Sequence, residues 1–335
     1  MRSIYIGNGF YIRSGFLKRL YRTCRVLGFY KGIKEFIYGH LGMYLHSSCL
    51  CEVKHKIIED HLMKRCLLES EEAAEICEEV IANMKLEPKE RIWFYWAQGT
   101  ESMPEVVRMC YNYLVYNNSR DNREVVLLTQ ENVEDYIKFP QYITQTLSEG
   151  RMTLTQYSEI LRMALLYEYG GMWLDSTVFV PKPIDKECFD IKYWSHKSTD
   201  YNWFNVVRGR WSLSIWNADM PHEELFKKMM SGMLLYWKKE KYLIDYMWMD
   251  YFLDIIYNSY PEIKKDIDSV PYNNPMTNKF FRYAKNIFVE SEYIGILSNN
   301  NFFKMTYKHQ LPKKVNGQDT VYGYITNNTP FIFKT

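Results

Sequence analysis

The chain has 335 residues, 47% of them hydrophobic, which is enough to bury a sizeable core and excludes a disordered polypeptide. Its 42 basic and 40 acidic side chains leave a formal net charge of +2, a balance that argues against a nucleic-acid binder with a broad basic face. Aromatic residues make up 17%, with 29 Tyr and 9 Trp, amphipathic rings that suit sugar stacking, protein interfaces or membrane margins.

The first segment, up to about Gly42, is basic: Arg2, Arg13, Lys18, Arg19, Arg22, Arg25, Lys31 and Lys34 face only Glu35. Phe16, Leu17, Leu20, Tyr21, Leu27, Phe29, Tyr30, Ile33, Phe36 and Ile37 fall between those charges at roughly helical spacing. Two readings fit equally. The segment, taken as residues 10–40, lies on an anionic membrane surface, or it is an amphipathic helix packed on its own domain. From Glu52 to Leu86 the pattern is again helical, and Ser70 ahead of Glu71 gives only a weak capping signal. Residues 1–86 therefore read as a helical basic extension and 87–335 as the main domain.

At Ile92–Trp96 the character changes to an aromatic and β-branched run ending in Gly99, the pattern of a buried parallel strand followed by a loop. A helix from Pro104 to Asn117 and a strand from Glu124 to Thr129 complete a βαβ unit. A third helix, about Thr155 to Tyr169, stops at Gly170 and Gly171, and "MWLDSTVFV" reads as the next strand. His222–Lys241 and Tyr242–Tyr260 read as two further helices, placing Asp245 and Asp250 on one of them; "NNFFKMTYKHQL" is a closing strand or a loop. Alternating strands and helices predict an α/β fold with a mostly parallel central sheet flanked by helices. Ligands in such sheets collect beyond the carboxyl ends of the strands, where Trp96, Gln98 and Asp175 fall.

Asp175 poses the sharpest question, because a lone carboxylate at the end of an apolar strand needs a metal, an arginine or a backbone turn as partner. Glu159 and Arg162 share a helix face, which fits a surface ion pair as well as a site. The stretch "SEILRMALLYEYGGMWLD", with "IWFYWAQG", "VVLLTQENVEDYI" and "LIDYMWMDYFLDIIYNSYPEIKKDIDSVPYNNP", closely resembles the capsular polysaccharide synthesis protein family. That family is related to glycosyltransferases with DxD-type sugar-binding regions, the α-1,6-mannosyltransferase and clostridial glucosylating toxin groups. The resemblance implies a GT-A-like fold with helical additions at both ends, a nucleoside diphosphate sugar donor, UDP-linked in expectation, and Mn²⁺ or Mg²⁺ bound mainly with the donor diphosphate.

Carried over by position, the resemblance implies that Trp96 borders the nucleobase with Gln98 beside it, and that Glu159, where relatives have Asp, reaches the ribose side. It also implies that Arg162 neutralises donor phosphate or holds sugar hydroxyls; the spacing itself gives the expectation that the Gly170–Gly171 turn converges with Glu159, Arg162 and Asp175 at one sheet edge. Asp175 is the first acid of the DxD and Thr177 stands where the second belongs. A closing metal ligand, often His, precedes a K-[LM]-T run in relatives; here Phe303 holds that position, and His309 follows as the candidate. Asp250 is the candidate for catalysis or for a sugar or acceptor contact, an N-cap or surface role being its bland alternative.

The expected activity is transfer of a hexose-type sugar, with retention of configuration, to a surface-polysaccharide or lipid-linked glycan acceptor. Seven scattered Cys without a CxxC pair, and a start without an apolar signal-like run, read as a cytoplasmic protein, peripheral at most on the inner face of the plasma membrane. Thr177 leaves a catalytically silent sugar-nucleotide or glycan-binding component as one rival. A membrane-surface scaffold without nucleotide affinity is the other.

Overall fold

The computed structural model describes residues 16–330 apart from 67, 88, 89, 121 and 203, together with the backbone of an N-terminal hairpin pairing Ser3–Ile6 with Phe10–Arg13. Arg2 and the side chain of Arg13, counted above in the basic start, lie outside the described residues.

The basic start forms two helices, α1 (Phe16–Leu27) and α2 (Phe29–Tyr44), broken at Gly28, whose φ of 80° a side chain would resist. Helix α3 (Ser48–Arg65) follows, and then α4 (Glu71–Glu78). The capping signal at Ser70 is stronger than its sequence suggests, since its side chain accepts the Ala73 amide at 3.2 Å. The chain then leaves the helix early, and Ile81–Ala82 pairs antiparallel with Ile137–Lys138.

The central sheet contains β1 (Glu90–Tyr95), β2 (Arg123–Leu128) and β3 (Gly171–Leu174), which run parallel in the order β2-β1-β3. Helix α5 (Glu105–Asn118) connects β1 to β2, and α6 (Leu154–Tyr169) leads into β3. A Thr153–Gln156 capping box opens α6. The expected single strand from Met172 onward is two: a turn at residues 175–177 separates β3 from β4 (Val178–Phe179). β5 (Ile215–Ala218) closes the sheet antiparallel to β3. β6 (Phe303–Lys304) pairs antiparallel with β4, Val178 opposite Lys304.

Strand side chains alternate between two buried layers. Trp93, Tyr95 and Trp173 join one cluster with Val26, Ile58, Leu161 and Phe252; Ile92, Phe94, Met172 and Leu174 join another with Val107 and Phe302. The first layer is completed by α7 (Glu224–Lys239) and α8 (Trp248–Ser259). The expected helix from Tyr242 is therefore shorter, and residues 242–247 form a loop in which the Asp245 carboxylate accepts the Met247 amide at 2.9 Å. That bond competes with helix formation. Asp245 and Asp250 consequently do not share a helix. Further helices, among them Pro261–Ser269, Glu290–Ser298 and Val321–Asn327, build the C-terminal side. The α/β architecture with a mostly parallel, helix-flanked sheet is the one its sequence predicts.

Candidate functional site

Beyond the carboxyl ends of β1 and β3 lies a cavity of about 380 Å³. Trp96 and Gln98 enter it from the loop after β1, Arg162 from α6, Asp175 and Thr177 from the turn after β3, and Lys304 from β6. Trp96 is half-buried, its indole Nε1–H donating to Ser102 Oγ at 3.2 Å and its ring meeting Tyr307 edge-on at 5.7 Å. Gln98 is exposed. The sheet thus holds the floor, while two loops and a second short pairing hold the walls.

Asp175 sits where β3 ends. Its amide donates to the Ser214 carbonyl at 2.9 Å and its own carbonyl accepts from Val178 at 2.8 Å, so the backbone is fixed on both sides. The carboxylate, 30% exposed, accepts from Trp173 Nε1 at 2.9 Å and from Lys304 Nζ at 2.7 Å, and Arg162 Nη2 stands 3.3 Å away. Desolvation pushes the Asp175 pKa up, but the Lys304 and Arg162 charges outweigh it and hold the group well below the usual carboxylate range. Arg162 is itself buried, bonded to the Leu213 carbonyl and stacked 5.1 Å over the Trp173 ring. The alternative of a surface ion pair with Glu159 is overturned: Arg162 points inward, and its carboxylate partner is Asp175.

Glu159 and Asp250 lie outside the lining of this cavity. Trp248 Nε1 donates to Glu159 at 2.5 Å, and Trp211 Nε1 donates to Asp250 at 3.0 Å. Desolvation, opposed by Arg162 and those indoles, pushes both carboxyls up to about 7. Two carboxyl groups therefore titrate near neutrality close to a carboxylate that stays charged, a separation produced by burial and by cation placement.

The expected convergence of the double glycine with Asp175 does not occur. Gly170 and Gly171 are at the opposite end of β3, where Gly171 lines a different cavity with Arg91 and Asn217. Their role there is steric. With φ at 83°, a Cβ on Gly171 would meet the Arg91 carbonyl oxygen at 2.7 Å. His309 is exposed, its ring centroid 6.4 Å from that of Phe281, and it does not line the Asp175 cavity. Sequence reasoning missed Lys304. The K-M-T run marks its neighbourhood, but only the pairing of Val178 with Lys304, reinforced by the Met305 amide donating to the Thr177 carbonyl at 2.8 Å, brings that ammonium to Asp175. Tyr246, from the loop before α8, and Tyr307 also enter the lining unannounced by any motif.

A resident divalent ion fits this donor set poorly. Asp175 is one carboxylate already facing two cations, Thr177 adds a hydroxyl, and among the described residues no three His, Cys, Asp or Glu side chains gather as ligands. An ion here would meet the Lys304 ammonium on Asp175 Oδ2 and the Arg162 guanidinium on Oδ1.

Among curated proteins none matches the chain. A solved structure titled "PaToxG Glycosyltransferase" is similar over 65% of this chain and 84% of that one, at 13% identity and a TM-score of 0.36. The capsular polysaccharide synthesis protein family matches residues 45–325, from α3 through the Asp175 cavity to the last described helix, and the chain belongs to that family.

Proposed function

We propose that the protein is a glycosyltransferase that takes a hexose-type sugar from a nucleoside diphosphate donor, UDP-linked in the first instance, and passes it to a surface-polysaccharide or lipid-linked glycan acceptor with retention of configuration. The observation that carries this reading is the pairing of Lys304 and Arg162 around Asp175 on the floor of a cavity walled by Trp96 and Tyr307. A cation pair fixed at a strand end is suited to an anionic diphosphate, and aromatic walls are suited to a base or a sugar. In transfer the bond from the sugar's anomeric carbon to the diphosphate oxygen breaks as the acceptor hydroxyl oxygen bonds to that carbon, negative charge grows on the leaving diphosphate, and the hydroxyl proton passes to it. Lys304 and Arg162, already oriented by Asp175, neutralise that charge without reorganisation.

This reading gives the neutralising role to the chain's own cations. The Mn²⁺ or Mg²⁺ expected from the resemblance is the competing assignment. Nucleoside diphosphate sugars that bind the folded chain raise its melting temperature. We expect a UDP-hexose to do so equally with Mn²⁺ and with chelator, and Lys304→Met to weaken the affinity read from that shift by about tenfold, the loss of one charge-assisted contact. A shift seen only with Mn²⁺ returns the role to the metal. No shift with any sugar nucleotide sinks the donor assignment, and binding without hydrolysis or transfer supports the silent component.

A peripheral position on the inner face of a membrane belongs to the same proposal. Phe29 and Tyr30 at the start of α2 and Tyr44 at its end are each at least 77% exposed, Arg25 and Lys31 close to the first two in sequence are exposed as well, and exposed aromatics accompanied by cations suit an anionic leaflet. No helix among the described residues is long and apolar enough to cross one.

A further inference from the structure

A second cavity, of about 470 Å³, opens between the N-terminal helices and the loop before α8. Four cations enter its lining, Lys18, Arg19 and Arg22 from α1 and Lys54 from α3, against one carboxylate, Asp245. Asp245 is shared, with Lys54 Nζ at 2.9 Å and Arg19 Nη2 at 3.6 Å, and Arg19 also reaches the fully buried Glu35 at 3.2 Å. Those contacts hold the walls in place. They leave Lys18 and Arg22, which are exposed and make no ion pair with any described residue.

Two further features fix what such a cavity would take. Met43 from α2, Phe204, and Leu243, Ile244 and Met247 from the loop before α8 add apolar surface to its lining. Tyr246 lines both this cavity and the one holding Asp175, so the two share a wall. A cavity lined both by unpaired cations and by apolar side chains is complementary to an anion carried on a hydrocarbon chain, whereas a free anion would use the cations alone.

We propose that this second cavity binds the phosphate or diphosphate of an amphiphilic acceptor, holding the acceptor's sugar end toward Tyr246 and the donor cavity. The proposal rests on the donor reading above for its direction of transfer. The anion site itself does not depend on that reading. Lys18 and Arg22 receive the phosphate oxygens, and the apolar part of the lining receives the first part of the lipid chain. The basic start of the chain thereby acquires a role in acceptor selection as well as in surface attachment.

The test is calorimetric titration of the full chain, without donor, by farnesyl diphosphate, inorganic diphosphate and farnesol. Farnesyl diphosphate is expected to bind, and inorganic diphosphate and farnesol each to bind at least about tenfold more weakly, since each offers one of the two features. Lys18→Glu with Arg22→Glu should weaken farnesyl diphosphate by about tenfold or more. Lys265→Glu, an exposed charge of the Pro261–Ser269 helix outside both cavities, should leave it unchanged. Unchanged binding in the double variant overturns the proposal, as does equal affinity for inorganic diphosphate. If the double variant loses only co-sedimentation with phosphatidylglycerol vesicles, the cations serve bilayer headgroups and the proposal also falls. Lys304→Met separates the sites. Farnesyl diphosphate binding that follows Lys304 places the ligand in the donor cavity and overturns the proposal while sparing the donor reading. Binding that follows Lys18 and Arg22 in a chain blind to sugar nucleotides supports the anion site and sinks the donor reading.

Discussion

At Asp175 the electrostatics are those of a fixed triad, one carboxylate between an ammonium and a guanidinium, and the guanidinium's shape matters as much as its charge. Arg162 spans the Leu213 carbonyl, the Asp175 carboxylate and the Trp173 ring at once. A lysine cannot reproduce that planar fork. Arg162→Lys should therefore lower sugar-nucleotide affinity and also destabilise the fold by about 1–3 kcal/mol, because a part-buried carbonyl and carboxylate lose a partner. Melting temperature and donor titration measured together check both. Glu159 makes a prediction in pH. Its carboxyl is raised from an ordinary 4.5 to about 7 by burial, so the folded chain retains a proton that the unfolded chain has released. The associated stabilisation is complete below the ordinary Glu range and is lost as pH rises through about 7. Glu159→Gln keeps the shape of the protonated form and should remove that slope. Across roughly pH 5 to 8 the wild type is expected to lose about 2 kcal/mol more than the variant in denaturant melts.

Among the elements, β3 shows how a single backbone constraint positions chemistry at a distance. Gly171 lets α6 turn into the sheet against Arg91, and only then does β3 run in register with β1 and deliver Asp175 to the far end. Gly171→Ala places a Cβ 2.7 Å from a carbonyl oxygen at a positive φ. We expect a loss of about 2–4 kcal/mol in thermal or chemical melts, with donor affinity falling in the surviving folded fraction only if β3 shifts. The short β4–β6 pairing matters for the same reason. Two residues on each side suffice because Phe179 and Phe303 pack with Phe280 beneath it, ring centroids 6.0 and 4.2 Å from the Phe280 ring. Their burial, rather than ladder hydrogen bonds, keeps Lys304 on Asp175.

For the whole molecule the N-terminal helices serve two purposes at once. Val26, Leu27 and Phe36 are buried, and Phe16 packs edge-on against Phe36 at 4.4 Å, so Phe16 is held by the fold while Leu17 and Tyr21 stay exposed. A chain begun at Lys54 loses about 5 kcal/mol or more of apolar burial and should be insoluble or unfolded, which solubility and circular dichroism would show. Replacing Phe29, Tyr30 and Tyr44 by serine should instead leave melting unchanged and reduce binding to anionic vesicles. The sequence alone determined the alternation of strands and helices, the parallel core and the placement of Asp175 at a strand end, because hydrophobic period and glycine punctuation are local properties. It also carried the family signature from Ser158 to Asp175. Tertiary structure alone decided which groups meet. Lys304 lies 129 residues from Asp175, and Trp248 lies 89 residues from Glu159. No local pattern encodes such separations. The same holds for the double glycine, which is adjacent to Asp175 in the motif and yet the full length of β3 away from it, since an extended strand carries its two ends to opposite edges of the sheet.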